Sequence, residues 1–547
     1  VTPDYASATV QKYTLNGNLT LDSFANIANG AQAVVILEQD ANGGHYLDSN
    51  MLFENGDSVL TAYPDSIDLL NVVYANSVYY ASLLPNYHSG KPLVMTANVD
   101  SNVYGTLSFD LPVNGSTYVI DWGDGNTSRG VINLAISNTV SHSYGYVSNI
   151  FTVKMWGNIN QIIISDTQVR PLIEDIVSWG GIRWANLNQM FIGCTNLGTI
   201  TATDAPDLRL GPNLNSLFNG CGNFNSDLST WDTVRVTDMG SMFSDAVAFN
   251  GNITTWNTSN VTNMDSMFYN AAAFNQDISG WNTGNVVSMS TMFSHTNTFN
   301  QSLDAWNISN VTNMESMFAY TQAFNQDLNS WNTANVTNMR SMFQYANVFN
   351  GNIIAWNTAN VTDMTSMFEH APAFNQDIGG WDVGNVTFLS GTFNNATAFN
   401  GNIGSWNTIN NQDLNGTFYN AVSFNQDISG WDTSNVTYNM NNTFYNATAF
   451  DQNLGSWDVR NVTQPGYELI GMFDDSGMST ANYSKTLIGF ANQVDANSAP
   501  YDLSFGAANV TYSNVTYTGS PYSDGEAAHD YLTGATANWT ITDGGLV

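Results

Sequence analysis

Ten tryptophans recur along the chain, at Trp231, Trp256, Trp281, Trp306, Trp331, Trp356, Trp381, Trp406, Trp431 and Trp457. The first eight intervals are 25 residues and the last is 26, because one residue is added near Asn441. Two phenylalanine series keep the same beat, one through Phe243, Phe268, Phe293 and Phe318, the other through Phe249, Phe274, Phe299 and Phe324. A fixed period of roughly 20–50 residues is the mark of a solenoid, in which each repeat buries its apolar edge only by stacking on its neighbours. The period therefore predicts a mainly β architecture built on a repeat solenoid, and it favours an extended binding or structural surface over a catalytic pocket.

The repeat also assigns the core. Val261, Met264, Met267, Phe268, Phe274, Ile278 and Trp281 are apolar at fixed phase. The expected core ladder is Trp256, Trp281, Trp306, Trp331 and Trp356, with Phe268, Phe274, Phe318, Phe343, Met264 and Met267. A methionine stripe can also signal soft-metal binding. Fixed phase beside phenylalanine makes it core instead, with thioethers against rings. Asn260, Asn275 and Asn282 recur at bends, where their side chains bond local backbone and tolerate left-handed turns. Counting the first phenylalanine series from Phe191 and Phe218 to Phe473 gives about 12 coils.

Four regions follow. Residues 1–91 read as a small β module: "AVVILEQDANGGHYL" predicts a strand, a turn and a second strand, and "IDLLNVVY" and "SVYYASLL" a pair around Ala75-Asn76. Through "LTLDSF", Leu37-Glu38-Gln39-Asp40 with Gly43-Gly44, and Ile67-Asp68-Leu69 followed by Tyr79-Tyr80, this stretch resembles modules at the ends of phage tail-fibre and other virion proteins. Residues 92–160 resemble a PKD-type β-sandwich through "YVIDWGDGNTS", "VSHSYG" and "FTVKMWG"; such domains serve as spacers or adhesion modules. Residues 161–477 are the solenoid. Its "NVTNMDSMFYNAAAFNQDISGWNT" unit resembles the BspA-like bacterial surface proteins, a divergent leucine-rich-repeat group. Residues 478–547 form a small α+β cap, with helices over "ANYSKTLIGFANQV" and "GEAAHDYLTGA" and strands over "VTYSNVTYTG" and "NWTITDGG". The BspA-like resemblance implies an extracellular, non-enzymatic protein used for adhesion or recognition.

Charge narrows the partners. Lys and Arg number 11 against 45 Asp and Glu, a formal charge of −34. Nucleic-acid binding requires a basic stripe to displace counterions, and none is present. Anionic membranes are disfavoured for the same reason, and no apolar run reaches the roughly 20 residues needed to span a bilayer. The chain opens at Val1 rather than Met, which suggests a processed or truncated N-terminus. Sequons at Asn114, Asn260, Asn310 and Asn538 are glycosylation candidates. Within the repeats, Asn-Val-Thr also serves to shape each turn.

Three constellations bear on chemistry. Asp227, Asn252, Asp277, Ser302, Asp327, Asn352, Asp377, Asn402, Asp427 and Asn453 alternate carboxylate with neutral residue. Stacked like charges repel, and a two-coil duplication produces the same pattern. Successive carboxylates about 9.6 Å apart, two rungs of a β ladder, approach the roughly 6.5–9.5 Å of an inverting glycosidase. A catalytic pair, however, is a local exception rather than a repeat, so no enzyme is expected. Asp121 and Asp124 form the acidic turn of the PKD-like region and are weak calcium candidates, since calcium prefers about 6–8 oxygens; the alternative is an ordinary Asp-Gly turn. No other cofactor is expected.

Cys194 and Cys221, the only cysteines, each sit three residues after a first-series phenylalanine. Rungs about 4.8 Å apart would place them within disulfide range, and a bridge between coils is predicted; two buried free thiols filling small slots are the alternative. The functional expectation is an extracellular protein on a cell or virion surface. It would contact a glycan or protein receptor through the solenoid flank or the variable positions after each first-series phenylalanine. The alternative is a structural subunit that contacts copies of itself.

Overall fold

The computed structural model describes residues 91–100, 105–113, 117–132, 138–157, 159–462, 468–497 and 502–547, and the backbone of seven strands within residues 1–90. The chain divides into two compact units, Val1–Thr237 and Asp238–Val547. Among the described residues the architecture is mainly β strand and turn, with two α-helices near the C-terminus.

In the first unit, β1 (Val10–Leu15), β2 (Leu19–Thr20), β3 (Gln32–Gln39), β4 (Leu47–Asp48), β5 (Leu52–Phe53), β6 (Ile67–Ala75) and β7 (Val78–Tyr87) come first. One sheet runs β1-β3-β6-β7-β5, and β2 pairs with β4. The expected β6–β7 hairpin forms, with Ala75 opposite Val78. The hairpin expected from "AVVILEQDANGGHYL" does not: β3 pairs antiparallel with β6 and parallel with β1, while β4 pairs with β2. The Asp40–Gly44 turn lies outside the described residues. A turn signal names a reversal of the chain, but the sheet chose the longer β6 as partner.

Next come β8 (Leu93–Val99), β9 (Gly105–Asp110), β10 (Thr117–Asp121), β11 (Thr127–Val131), β12 (Thr139–Gly145), β13 (Asn149–Trp156) and β14 (Ile173–Ser178). They make a five-stranded sheet, β11-β10-β13-β8-β14, and a two-stranded sheet, β12-β9. The alternating pattern of β8 and β9 turns Leu93, Met95, Ala97, Leu107 and Phe109 into a fully buried layer. Phe109 of the small sheet stacks on Trp122 at the end of β10, ring centroids 5.8 Å apart. Tyr144 of β12 stacks on Phe151 of β13 at 4.1 Å. β14 pairs with β8 on one side, and on the other Ala202 N–H donates to the Ile176 carbonyl at 2.9 Å. One strand thus serves both the sheet and the first turns of the repeat.

In the second unit, successive coils are joined by backbone bonds at constant offset. Met264, Ser266, Phe268 and Asn270 donate to the carbonyls of Ser288, Ser290, Met292 and Ser294 at 2.8–3.3 Å. Between these bonds the chain turns on itself, Met267 N–H to Met264 and Tyr269 N–H to Ser266. Ser266 and Asn270 have φ of 55° and 55°, and the equivalent positions repeat this in every following coil. These left-handed residues interrupt extended backbone, so the parallel pairing registers as single bridges, Asp238 to Asn263 to Ser288 to Asn313, rather than long strands.

Inside, Phe268 stacks on Phe274 at 3.9 Å within its coil and on Phe293 at 5.7 Å in the next. Met264, Met267, Phe268, Phe274, Phe318 and Phe343 are fully buried, and Trp256, Trp281, Trp306, Trp331 and Trp356 are 2–4 % exposed. From Trp281 to Trp356 each indole also satisfies its polar atom across coils: Trp331 Nε1 donates to the Leu303 carbonyl at 2.8 Å and Trp356 Nε1 to Leu328 at 2.9 Å. Tryptophan at this phase supplies both apolar area and an intercoil hydrogen bond, which phenylalanine cannot do.

The stack ends under α1 (Thr480–Asn497), β15 (Ser504–Ala507), α2 (Gly525–Thr533) and β16 (Thr540–Asp543). Tyr483, Leu487, Phe490 and Val494 fall on one helical face of α1 and are buried. The Ser479 hydroxyl accepts from Asn482 N–H and caps the helix. The Thr486 hydroxyl accepts from Leu454 N–H at 3.0 Å, and Gln493 Nε2 donates to the Gly455 and Trp457 carbonyls. The helix thereby occupies backbone groups that a further coil would have taken. The strand expected over residues 510–519 is replaced by a single bridge at Tyr512; Ser504–Ala507 is the strand instead and pairs with β16.

Candidate functional site

Four of the alternating carboxylates, Asp227, Asp277, Asp377 and Asp427, are turn caps, while Asp327 accepts from Asn352 N–H in the next coil. Asp277 Oδ1 accepts from Ser279 N–H at 3.0 Å and Asp427 Oδ1 from Ser429 N–H at 3.0 Å; Asn352 and Asn402 do the same for Ile354 and Gly404. Hydrogen bonds from Ser279 and Ser429 hold Asp277 and Asp427 below the usual carboxylate range. Asp and Asn are interchangeable for this job, so a step between them varies only charge; Ser302 is the exception in the series. The accompanying glycines have a steric cause. A Cβ on Gly351 would lie 2.1 Å from the Gln326 carbonyl oxygen, and one on Gly401 2.5 Å from that of Gln376.

Two asparagine columns run along the surface. Asn250, Asn275, Asn300, Asn325, Asn350, Asn375 and Asn400 each accept the backbone N–H of the next member or of Asn425 at 2.7–3.0 Å. The column ends at Asp451, whose carboxylate accepts from Ser479 N–H. In the second column the sequon residue Asn310 donates from Nδ2 to the Gly284 carbonyl at 2.6 Å. Asn260 is exposed at the same phase. Asn538 Nδ2 donates to Asp502 at 2.5 Å, and Asn114 lies outside the described residues.

Beside the first phenylalanine column runs a left-handed position occupied by Asn270, Asn395, Asn420 and Asn446, residues that tolerate φ of 53–56°. In the four coils between, the same position holds His295, Tyr320, Tyr345 and His370 at φ of 52–62°. Their rings stack face to face at 4.3, 4.6 and 4.3 Å. All four are half-buried, so the two repeat histidines are members of a ring column rather than isolated surface groups. Burial depresses the His295 pKa, although Asp245 pulls the other way. Sequence reasoning marked these positions as variable; the shared backbone strain and the stacking needed coordinates.

The acidic turn near β10 is bonded by protein donors, Asp124 more fully than Asp121. Asp121 Oδ1 accepts from Gly123 N–H at 3.0 Å, and Asp124 accepts from Asn126 N–H and Nδ2, both at 2.9 Å. His142 Nε2 lies 2.7 Å from Asp124 Oδ2. Burial opposes ionisation of Asp124, but the Asn126 and His142 bonds outweigh it and keep its pKa low. Calcium would have to displace these partners. Among the described residues no group of three or more His, Cys, Asp or Glu is placed to hold a metal ion.

Cys194 and Cys221 are buried free thiols. The predicted bridge is absent from the structure, which shows the alternative arrangement. Cys221 Sγ donates to the Phe191 carbonyl at 3.0 Å, and the two thiols fill the slot that Ala246 and Ala271 occupy in later coils. Burial pushes the Cys221 pKa up to about 12 and that of Cys194 well above its ordinary value.

Three overlapping segments, 185–306, 276–381 and 373–484, match the family described as Mycoplasma protein of unknown function, DUF285. Together they span residues 185–484, more than half of the 547. The chain belongs to the DUF285 family. Residues 1–77 of this DUF285 protein are similar to a phage tail fibre C-terminal domain. No curated protein and no solved structure matches it significantly. No helix among its described residues is long and apolar enough to cross a membrane.

Proposed function

We propose that this DUF285 protein is a non-enzymatic surface or fibre protein, displayed on a virion or cell surface, that attaches to a receptor through the flank of its repeats. In this reading the stacked coils are a solenoid of BspA-like character, the 92–160 region is a PKD-like spacer, and the tail-fibre-like N-terminal region is the mount. The ring column carries the reading. Four consecutive coils place rings at left-handed backbone, a conformation costing non-glycine residues on the order of 1–3 kcal/mol, and two of the rings, Tyr320 and Tyr345, lack the tolerance of Asn and His for it. Stacking returns only about 0.5–1.5 kcal/mol per pair. A costly local exception within an otherwise uniform surface is where recognition is best sought.

The tested variant is Tyr320→Asn combined with Tyr345→Asn, which restores the residue of neighbouring coils. It should be at least as stable as the parent while cell attachment falls by tenfold or more. Unchanged attachment sinks the role of the column. A map of the assembled particle tests the wider reading, because a column occluded by neighbouring copies makes the chain a structural subunit instead. Sustained release of sugar fragments from surface polysaccharide would overturn the non-enzymatic assignment.

A further inference from the structure

The coil beginning at Phe293 departs from its neighbours a second time, on the flank that carries the alternating residues. Where other coils have Asp277, Asp327 or Asn352, it has the shorter Ser302. Where Thr283 and Thr333 donate their hydroxyls to carbonyls of the next coil, it has Ile308. Here the surface sinks into a depression of about 620 Å³, a volume within the usual range of small-ligand sites. Its lining comprises the polar Ser302, Asp304, Asn307, Ser330 and Asn332, the exposed Ala305, and the nearly covered Trp306 and Ile308, 3 % and 1 % exposed.

The polar groups have part of their bonding capacity already used. Asp304 Oδ1 accepts from Ser330 N–H at 3.1 Å, which leaves Oδ2 as an acceptor. Asn307 and Asn332 each accept a turn N–H at Oδ1, from Ser309 at 3.1 Å and Ala334 at 3.2 Å. That commits their oxygens and leaves the Nδ2 groups to donate. One carboxylate acceptor and two amide donors beside the apolar Ala305 are the kinds of group a pyranose ring calls on. Adjacent hydroxyls both donate and accept, and the C–H face of the ring is apolar. No Lys or Arg lines the depression, and the chain carries a charge of −34, so an anionic sugar would meet uncompensated repulsion from Asp304.

We propose that this depression is a binding subsite for a neutral sugar, held by Asp304, Asn307 and Asn332 beside Ala305. It deepens the surface-recognition reading and rests on it for its biological setting. A single carboxylate lines the depression, so the carboxylate pair of most glycosidases is not among its lining residues.

The experiment uses the full chain and four probes: neutral tetrasaccharides of glucose, of mannose and of galactose, and a sialylated tetrasaccharide. Binding is followed by saturation-transfer NMR and calorimetry. At least one neutral probe should bind and the sialylated one should not. Ser302→Asn, which installs the residue type of Asn352, and Asp304→Ala should each weaken binding tenfold or more with unchanged thermal unfolding. Failure of every neutral probe, preference for the sialylated probe, or equal binding by both variants overturns the proposal. Cell attachment of the same samples separates the two readings. A chain that attaches yet binds no neutral sugar overturns the subsite alone. Sugar binding lost in Ser302→Asn supports the subsite even where attachment fails and the recognition reading falls.

Discussion

The sandwich of β8–β14 and the stacked coils bury the same kinds of residue by different rules. In the sandwich, Trp122 has partners of unlike kind: Phe109 against one face, His142 at 5.2 Å, and the Tyr144 hydroxyl donating to its carbonyl at 2.7 Å. In the coils, Trp331 stacks on Trp356 at 6.2 Å and repeats the bond its neighbours make. A heterogeneous core fixes one arrangement through non-repeating contacts of high sequence separation. A columnar core fixes a register, and its stability adds up coil by coil through nearest neighbours. A fault in the sandwich is therefore global, whereas a fault in the stack is local.

The largest effects test that contrast directly. Trp331→Ala and Trp122→Ala should each cost about 3–5 kcal/mol, as for other buried aromatics. Hydrogen exchange should show the first confined to the coils around Leu303 and Trp356, and the second spread across both sheets. A Trp331→Ala defect that loosens every coil equally would break the comparison.

Next comes Gly351→Ala. The new methyl would meet the Gln326 carbonyl oxygen of the preceding coil at 2.1 Å, so about 1–3 kcal/mol of destabilisation is expected from overpacking. Gly380→Ala meets nothing within 4 Å and should be neutral or slightly stabilising, by up to about 1 kcal/mol. Denaturant midpoints for the pair check whether close coil approach, rather than glycine itself, sets the cost.

A smaller effect concerns the thiols. Cys221→Ala, the residue of later coils, should cost about 1 kcal/mol through the lost sulfur contacts. Thiol titration should find two free groups in the denatured, unreduced chain and almost none in the native one. Zero in the denatured chain would restore the bridge.

The smallest is Asp413→Asn. Burial raises the Asp413 pKa despite bonds from Asn415 and Ser390. A carboxyl whose folded pKa is raised penalises the fold once ionised. The penalty is present above the folded pKa and vanishes as pH falls below the unfolded value of about 3.9. The introduced amide would keep the cap to Asn415 N–H and remove the charge, as Asn338 does in its own coil. A gain of a few tenths of a kcal/mol after solvent screening is expected at pH 7, shrinking toward zero near pH 3. A gain independent of pH would assign it to packing instead.

Much of this protein is written in its period. The phase of Trp, Phe and Met, the helices near Tyr483 and Ala528, and the β6–β7 hairpin follow from spacing, because burial and capping act over a few residues. Other features were decided in three dimensions. β14 carries no strong strand signal of its own; it forms because β8 offers an open edge. The thiols stay unpaired, and Cys221 donates to the Phe191 carbonyl. The ring column needs left-handed backbone at His295 and Tyr320, imposed by the bonds their N–H groups donate to the next coil, to Ala319 and Gln344. The depression beside Trp306 joins residues of two coils, Ser302 to Ile308 with Ser330 and Asn332. Spacing tells which residue faces inward. What a given coil places beside its neighbour depends on contacts 24 or more residues away, where the tertiary structure alone sets distance and direction.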